Sequence, residues 1–160
     1  MLQECLRGWG EPPVERVLVA AADALAGPII DVADPVFANQ GADMPERIAA
    51  WCRDRGFPAP EGQAAMTLTI LQSLARAVAQ SLADVDRVGG RRTRRVHIVG
   101  GGSRIALFNQ AIADETGAEV IAGPVEATTS GNLLLQAEAL GAIPRGTVRA
   151  VMRRSTSLTI

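Results

Sequence analysis

Apolar residues recur every three and four positions over most of the chain, and gather into short β-branched runs only in its last third. The pattern therefore predicts helices first and strands late. Leu2 to Arg7 reads as the tail of a helix that stops at Gly8, Trp9 and Gly10. Pro12 and Pro13 suit a first helical turn, and Val14, Val17, Leu18, Ala21 and Leu25 predict a second helix running to about Ala26, ended by Gly27 and Pro28. Ile29 to Asp43 carries Asp, Pro, Asn and Gly punctuation without periodicity and reads as an ordered loop. Met44 to Arg55 returns to helical spacing, with Ile48 and Trp51 on one face and Gly56 after the last turn. A longer helix is expected from about Gln63 to Val88, with a stripe of Leu68, Leu71, Leu74, Ala75, Val78 and Leu82, closed by Gly89 and Gly90.

The last third alternates. Val96 to Val99 predicts a strand, Ser103 to Thr116 a helix, Glu119 to Ala122 a second strand and Glu126 to Leu140 another helix. That order favours parallel pairing through a crossover. Two strands make a small sheet, and an independent α/β domain normally has more. Either the fold is mostly helical with few strands, or chain outside these residues supplies the others.

A chain of 160 residues with 48% hydrophobic and 21% charged residues is expected to form a single domain with a real core. All 16 basic residues are arginine, and lysine and tyrosine are absent. Schiff-base chemistry, a phosphate-loop lysine and a lysine or tyrosine proton relay are thereby excluded. A net charge of -1 gives no general attraction to nucleic acid or to an anionic membrane. The basic cluster Arg91, Arg92, Arg94 and Arg95 has no interleaved aromatics and reads as a solvated loop. Cys5 and Cys52 are in no metal-binding spacing and follow no secretory signal, so reduced thiols in cytoplasm are expected. No apolar run approaches the roughly 18 residues that span a bilayer.

The strongest chemical signal is VHIVGGGS, Val96 to Ser103, a strand that runs into three glycines and then a helix. Gly100, Gly101 and Gly102 permit positive φ and let a ligand lie against bare backbone, while a following helix start favours an anion such as phosphate. The same glycines also suit a tight turn that needs small residues. A P-loop is excluded because no lysine follows them. A dinucleotide fingerprint fits poorly, because Ile105 stands where a third glycine belongs. In GPVEATTSGN, Gly123 to Asn132, Glu126 opens a helix of small residues that can pack against the glycine turn or meet a ligand. His97, the only histidine, reads as a packed side chain within a strand. Asp31 and Asp34 read as backbone-capping groups beside a turn rather than as catalytic carboxylates.

Taken in order, LQEC, IIDVADPVF, GADMPERIAAWC, LQSLA, VHIVGGGS and NQAIADETGAEVIAGPVEATTSGNLLLQA resemble the C-terminal stretch of rhamnulokinases, a branch of the FGGY carbohydrate kinase family. The likeness covers nearly the whole chain. It implies a mostly helical α/β partial lobe, with few strands, of the actin-like (ribonuclease H-like) ATPase fold. It further implies transfer of the γ-phosphoryl group of ATP to the primary hydroxyl of L-rhamnulose, with magnesium. The resemblance makes Gly101 the central ATP-contacting glycine, flanked by Gly100 and Gly102, and makes Gln3 the ATP-contacting glutamine of the family's WLLQ segment. It gives this chain no catalytic residue and no metal ligand. The sugar-binding lobe, the aspartate that takes the hydroxyl proton and the first phosphate loops are expected to lie upstream. A partner chain or a second copy would then be expected at the face left uncovered. Where the family has asparagine after the glycines, as in GGGSQN, this chain has Ile105, preceded by Arg104. An apolar Ile105 cannot supply that hydrogen bond to the adenosine.

Overall fold

A computed structural model describes residues 1–25, 27–38, 41 and 43–155. They belong to two compact units, Met1–Arg91 and Arg92–Ile160. The described part is mostly helical with a two-stranded parallel sheet, as the sequence pattern predicts.

The first unit contains α1 (Leu2–Gly8), α2 (Val14–Ala22), a 3-10 turn (Pro35–Phe37), α3 (Met44–Asp54) and α4 (Gly62–Gly89). Its core gathers Cys5, Ile30, Phe37, Met44, Ile48, Trp51, Cys52, Met66 and Ile70 from helices and loop alike. Burial pushes the Cys5 thiol up to about 12 and the Cys52 thiol upward as well, so both behave as small hydrophobic groups. The second helix ends at Ala22, earlier than its spacing suggests, and Leu25 is 89% exposed. Ala26, the expected end, lies outside the described residues.

The long helix α4 runs one residue further at each end than expected, but its buried face is different. Leu71 and Ala75 are buried as predicted, whereas Leu68, Leu74, Val78 and Leu82 are only half-buried. The deepest positions include Thr67, Thr69 and Ser73. Two of these hydroxyls hold the incoming loop: Gly27 N donates to Thr69 Oγ1 at 2.8 Å, and Ile30 N donates to Ser73 Oγ at 3.0 Å. Ser73 Oγ in turn donates to Thr69 O at 2.7 Å. Backbone groups that no ladder reaches are thus satisfied by polar side chains on a buried helix face. Gly27 acts through close approach rather than as a helix stop, since a Cβ there would lie 2.7 Å from Thr69 Oγ1 and 2.8 Å from Pro60 Cγ.

Asp34 caps the 3-10 turn by accepting from Val36 N at 3.0 Å, the capping role its sequence context suggests. Its other oxygen accepts from Trp51 Nε1 at 2.9 Å and from Arg55 at 2.8 Å, which ties the loop to α3. Arg55 also lies over the Trp51 ring, 4.2 Å from its centroid. The Val36 backbone bond, the Trp51 bond and the Arg55 charge hold the Asp34 carboxyl below the ordinary 3.8.

The second unit contains β1 (Arg95–Ile98), a 3-10 turn (Gly101–Arg104), α5 (Ala106–Thr116), β2 (Glu119–Ala122), α6 (Ala127–Ala139) and α7 (Val148–Ser155). The strands pair in parallel, Arg95 opposite Glu119 through Ile98 opposite Ala122, with α5 as the crossover. Arg95 Nε meets Glu119 Oε2 at 2.7 Å across the pair. Three departures from the sequence reading stand out. The helix after the glycines begins at Ala106, behind a 3-10 turn, rather than at Ser103. His97 is exposed on β1 rather than packed, and α7 is an element that the periodicity did not suggest. No described helix is long and apolar enough to cross a membrane.

Truncating the fully buried Ile70 to alanine should cost about 2–5 kcal/mol in urea denaturation, whereas Val85→Ala, 63% exposed on the same helix, should stay within about 0.5 kcal/mol. A carboxyl whose folded-state pKa is lowered stabilises above its unfolded value and loses that contribution as pH falls through the folded value. The melting-temperature gap between wild type and Asp34→Asn, present at neutral pH, should therefore close as pH falls below 3.8.

Candidate nucleotide-binding site

The second unit places the glycines at the C-terminal end of β1, and each has a different reason to be glycine. Gly100 sits at φ 79° and ψ -163°, a region that a side chain essentially forbids. Gly102 is packed, since a Cβ would touch Phe108 at 3.7 Å and Ile98 at 3.8 Å. Gly101 has ordinary backbone angles, and a Cβ there would meet nothing within 4 Å. Its missing side chain answers no requirement of the turn itself.

The turn is locked from both sides. Ser103 Oγ and Ser103 N both donate to Gly100 O, at 2.7 and 3.1 Å, and close the turn on itself. Asn109 Nδ2 donates to Ser103 O at 2.9 Å and fastens the turn to the first turns of α5. On the other side, Gly123 N donates to Ile98 O at 2.7 Å and Gly100 N donates to Pro124 O at 3.2 Å. These bonds join the glycine turn to the one leading from β2 into α6. A Cβ on Gly123 would lie 3.0 Å from Val99 Cγ1 and 3.2 Å from Ile98 O, so this crossing needs glycine.

Between the two turns lies an open cavity of about 660 Å³, lined by Ser103, Arg104, Asn109, Gly123, Glu126 and Ser130 among others. That volume is of the size that holds a nucleoside. The wall begins at Ser103, directly after the glycines. Glu126 is the N-cap residue of α6, at the helix start where the sequence places it, and accepts weakly from Thr129 Oγ1 at 3.4 Å. Ile105 is half-buried in extended conformation immediately before α5 and is not among the residues that line the cavity. No group of three or more His, Cys, Asp and Glu side chains that could hold a metal exists among the described residues.

Gly100, Gly101 and Gly102 are therefore brought together with Glu126 and Asn109, while Gln3 belongs to the other unit, exposed on α1. The expected helix N-terminus directly behind the glycines is replaced by the 3-10 turn, so turn amides rather than helix amides follow the strand. The sequence reading missed Ser103 and Asn109 as the residues that hold the turn. A small hydroxyl residue closing a glycine run and an asparagine in the first turns of the next helix were the available signals.

Residues 2–140 match the C-terminal domain of the FGGY family of carbohydrate kinases. The chain belongs to that family. It is 36% identical over 143 residues to the rhamnulokinase of Bacteroides thetaiotaomicron, covering 88% of this chain and 29% of that protein. To the rhamnulokinase of Klebsiella pneumoniae it is 40% identical over 132 residues, covering 82% and 27%. To that of Halalkalibacterium halodurans it is 37% identical over 144 residues, covering 89% and 31%. The chain thus spans less than a third of the length of these FGGY relatives.

The two glycines should separate in a stability measurement. Gly100→Ala forces a side chain into a glycine-only conformation and should cost about 1–3 kcal/mol. Gly101→Ala enters open space and should cost under about 1 kcal/mol in the same urea titration.

Proposed function

We propose that this chain is the ATP-binding C-terminal lobe of a carbohydrate kinase that converts L-rhamnulose to L-rhamnulose 1-phosphate. The observation that carries the reading is the locked glycine turn beside the cavity, with Gly101 left bare towards open space although nothing in the fold requires it. A nucleotide lying against Gly100, Gly101 and Gly102 meets backbone without Cβ atoms. Gln3 supplies a further ATP contact in this reading. Magnesium arrives on the phosphate oxygens, as it commonly does in kinases, rather than in a protein cage. The setting is cytoplasmic, and neither nucleic acid nor membrane takes part.

Phosphoryl transfer depends on positioning and on charge stabilisation around the transferred group. The sugar site and the carboxylate that accepts the hydroxyl proton belong, in this reading, to the part of the longer relatives that these residues do not span. The 160-residue chain alone then binds ATP without turning it over, and gains the sugar only with a lobe supplied by a partner chain or by longer sequence. Ile105 favours a second reading, a non-catalytic interaction module that has lost nucleotide binding, because an apolar side chain stands where the family carries an amide.

Calorimetric titration of the chain with ATP and magnesium decides between them. The kinase-lobe reading expects saturable heat at millimolar nucleotide and no ADP release on adding L-rhamnulose; absence of heat supports the interaction module. Gly101→Val should abolish the heat with little change in melting temperature. Ile105→Asn should strengthen binding by about 0.5–1.5 kcal/mol, the net contribution of one hydrogen bond.

A further inference from the structure

Among the described residues, two buried side-chain polar atoms have no hydrogen-bond partner, Thr67 Oγ1 and Asn109 Oδ1. Asn109 stands on the wall of the cavity that follows the glycine turn. An acceptor stripped of water and left unpaired carries a desolvation penalty, which a donor arriving from a ligand would relieve. The amide cannot simply turn over to exchange its ends. Its Nδ2 donates to Ser103 O at 2.9 Å, and reversal would press Oδ1 against that carbonyl oxygen. The position is therefore an acceptor of fixed sense.

That sense limits what can meet it. Phosphate oxygens are acceptors themselves and are repelled. The same cavity carries an apolar patch of Ala106, Ala122, Pro124 and Val125 that suits the face of a flat heterocycle, alongside the polar Ser103, Arg104, Glu126 and Ser130. A heterocycle settling against Asn109 gains most if it presents an N–H at its edge. Because Oδ1 is already desolvated, the protein gives up no water bond when that donor arrives, although the wall must open to expose the atom.

We propose that Asn109 Oδ1 accepts a hydrogen bond from the exocyclic amine of the purine base, and so makes this site select ATP over nucleoside triphosphates with a carbonyl at that position. The proposal rests on the nucleotide-binding reading. Asn109 then serves two ends of one amide: Nδ2 holds the turn, and Oδ1 reads the base. With Ile105 unable to contribute an amide, base discrimination falls to Asn109.

The test is a calorimetric comparison of ATP with inosine triphosphate, which carries oxygen in place of the amine, on the full 160-residue chain. Inosine triphosphate should bind about three- to tenfold more weakly than ATP. Asn109→Leu also releases Ser103 O from its bond, so both nucleotides should weaken, but ATP by about three- to tenfold more, bringing the two to equal affinity, with melting curves confirming that the variant folds. Where the variant does not fold, the unaltered protein and ATP doubly methylated on its exocyclic amine replace it, and the methylated nucleotide should bind as weakly as inosine triphosphate. Equal affinities for ATP and inosine triphosphate, or an equal loss of both in Asn109→Leu, overturn the assignment of Asn109 while leaving nucleotide binding intact. Binding of neither nucleotide overturns the nucleotide reading itself, and this proposal with it.

Discussion

The second unit depends on a backbone cross-tie at the C-terminal ends of its two parallel strands. Gly123 N reaches Ile98 O and Gly100 N reaches Pro124 O, so the turns leaving β1 and β2 are fixed against each other beyond the last ladder pair. A two-stranded parallel sheet of four residues per strand is a weak scaffold by itself. The cross-tie extends its order into the two turns that carry the site, and only glycine permits the backbone conformation at 100 and the close approach at 123. Ser103 and Asn109 then transmit the same constraint to α5. The cavity is the space left between turns held in this way.

The first unit solves a different problem with different means. Its loop between α2 and α3 has no ladder to join, and hydroxyls on the buried face of α4 satisfy its amides instead. Asp34 anchors the far end of that loop by accepting from Val36, Trp51 and Arg55. Polar groups at the core boundary thus position irregular chain, and the apolar cluster of Ile48, Trp51 and Ile70 supplies the burial that holds the unit together. The family match over residues 2–140 takes in residues of both units.

Much of this was legible in the sequence wherever one signal dominated. The strand Glu119 to Ala122 has the bounds that its β-branched run indicates, and α3 ends one residue before its expected limit. The glycine turn, its place after β1 and the helix opened by Glu126 were also readable as local structure, because glycines break a strand into a turn and a carboxylate suits a helix start whether or not a ligand meets them. The misreadings have a common cause in tertiary context. Thr67, Thr69 and Ser73 look like the polar side of α4 until the loop that they bind is present. Leu25 fits a helical stripe, yet the helix has already ended at Ala22. His97 lies in an apolar run but on the side of β1 that is exposed. Asn109 opens a segment that carries the family likeness, but sequence does not show its significance, which is the partner that one end has and the other lacks.

Nucleotide recognition by the locked turn is the central claim, and residue-resolved amide NMR during titration with magnesium-ATP addresses it most directly. The claim predicts saturable shifts concentrated at the backbone amides of Gly100 to Ser103 and at the Asn109 side-chain amide, with the Ile48 and Ile70 amides of the first unit's core unmoved. Saturable shifts elsewhere with the glycine turn silent, or no shifts at millimolar nucleotide, would contradict it.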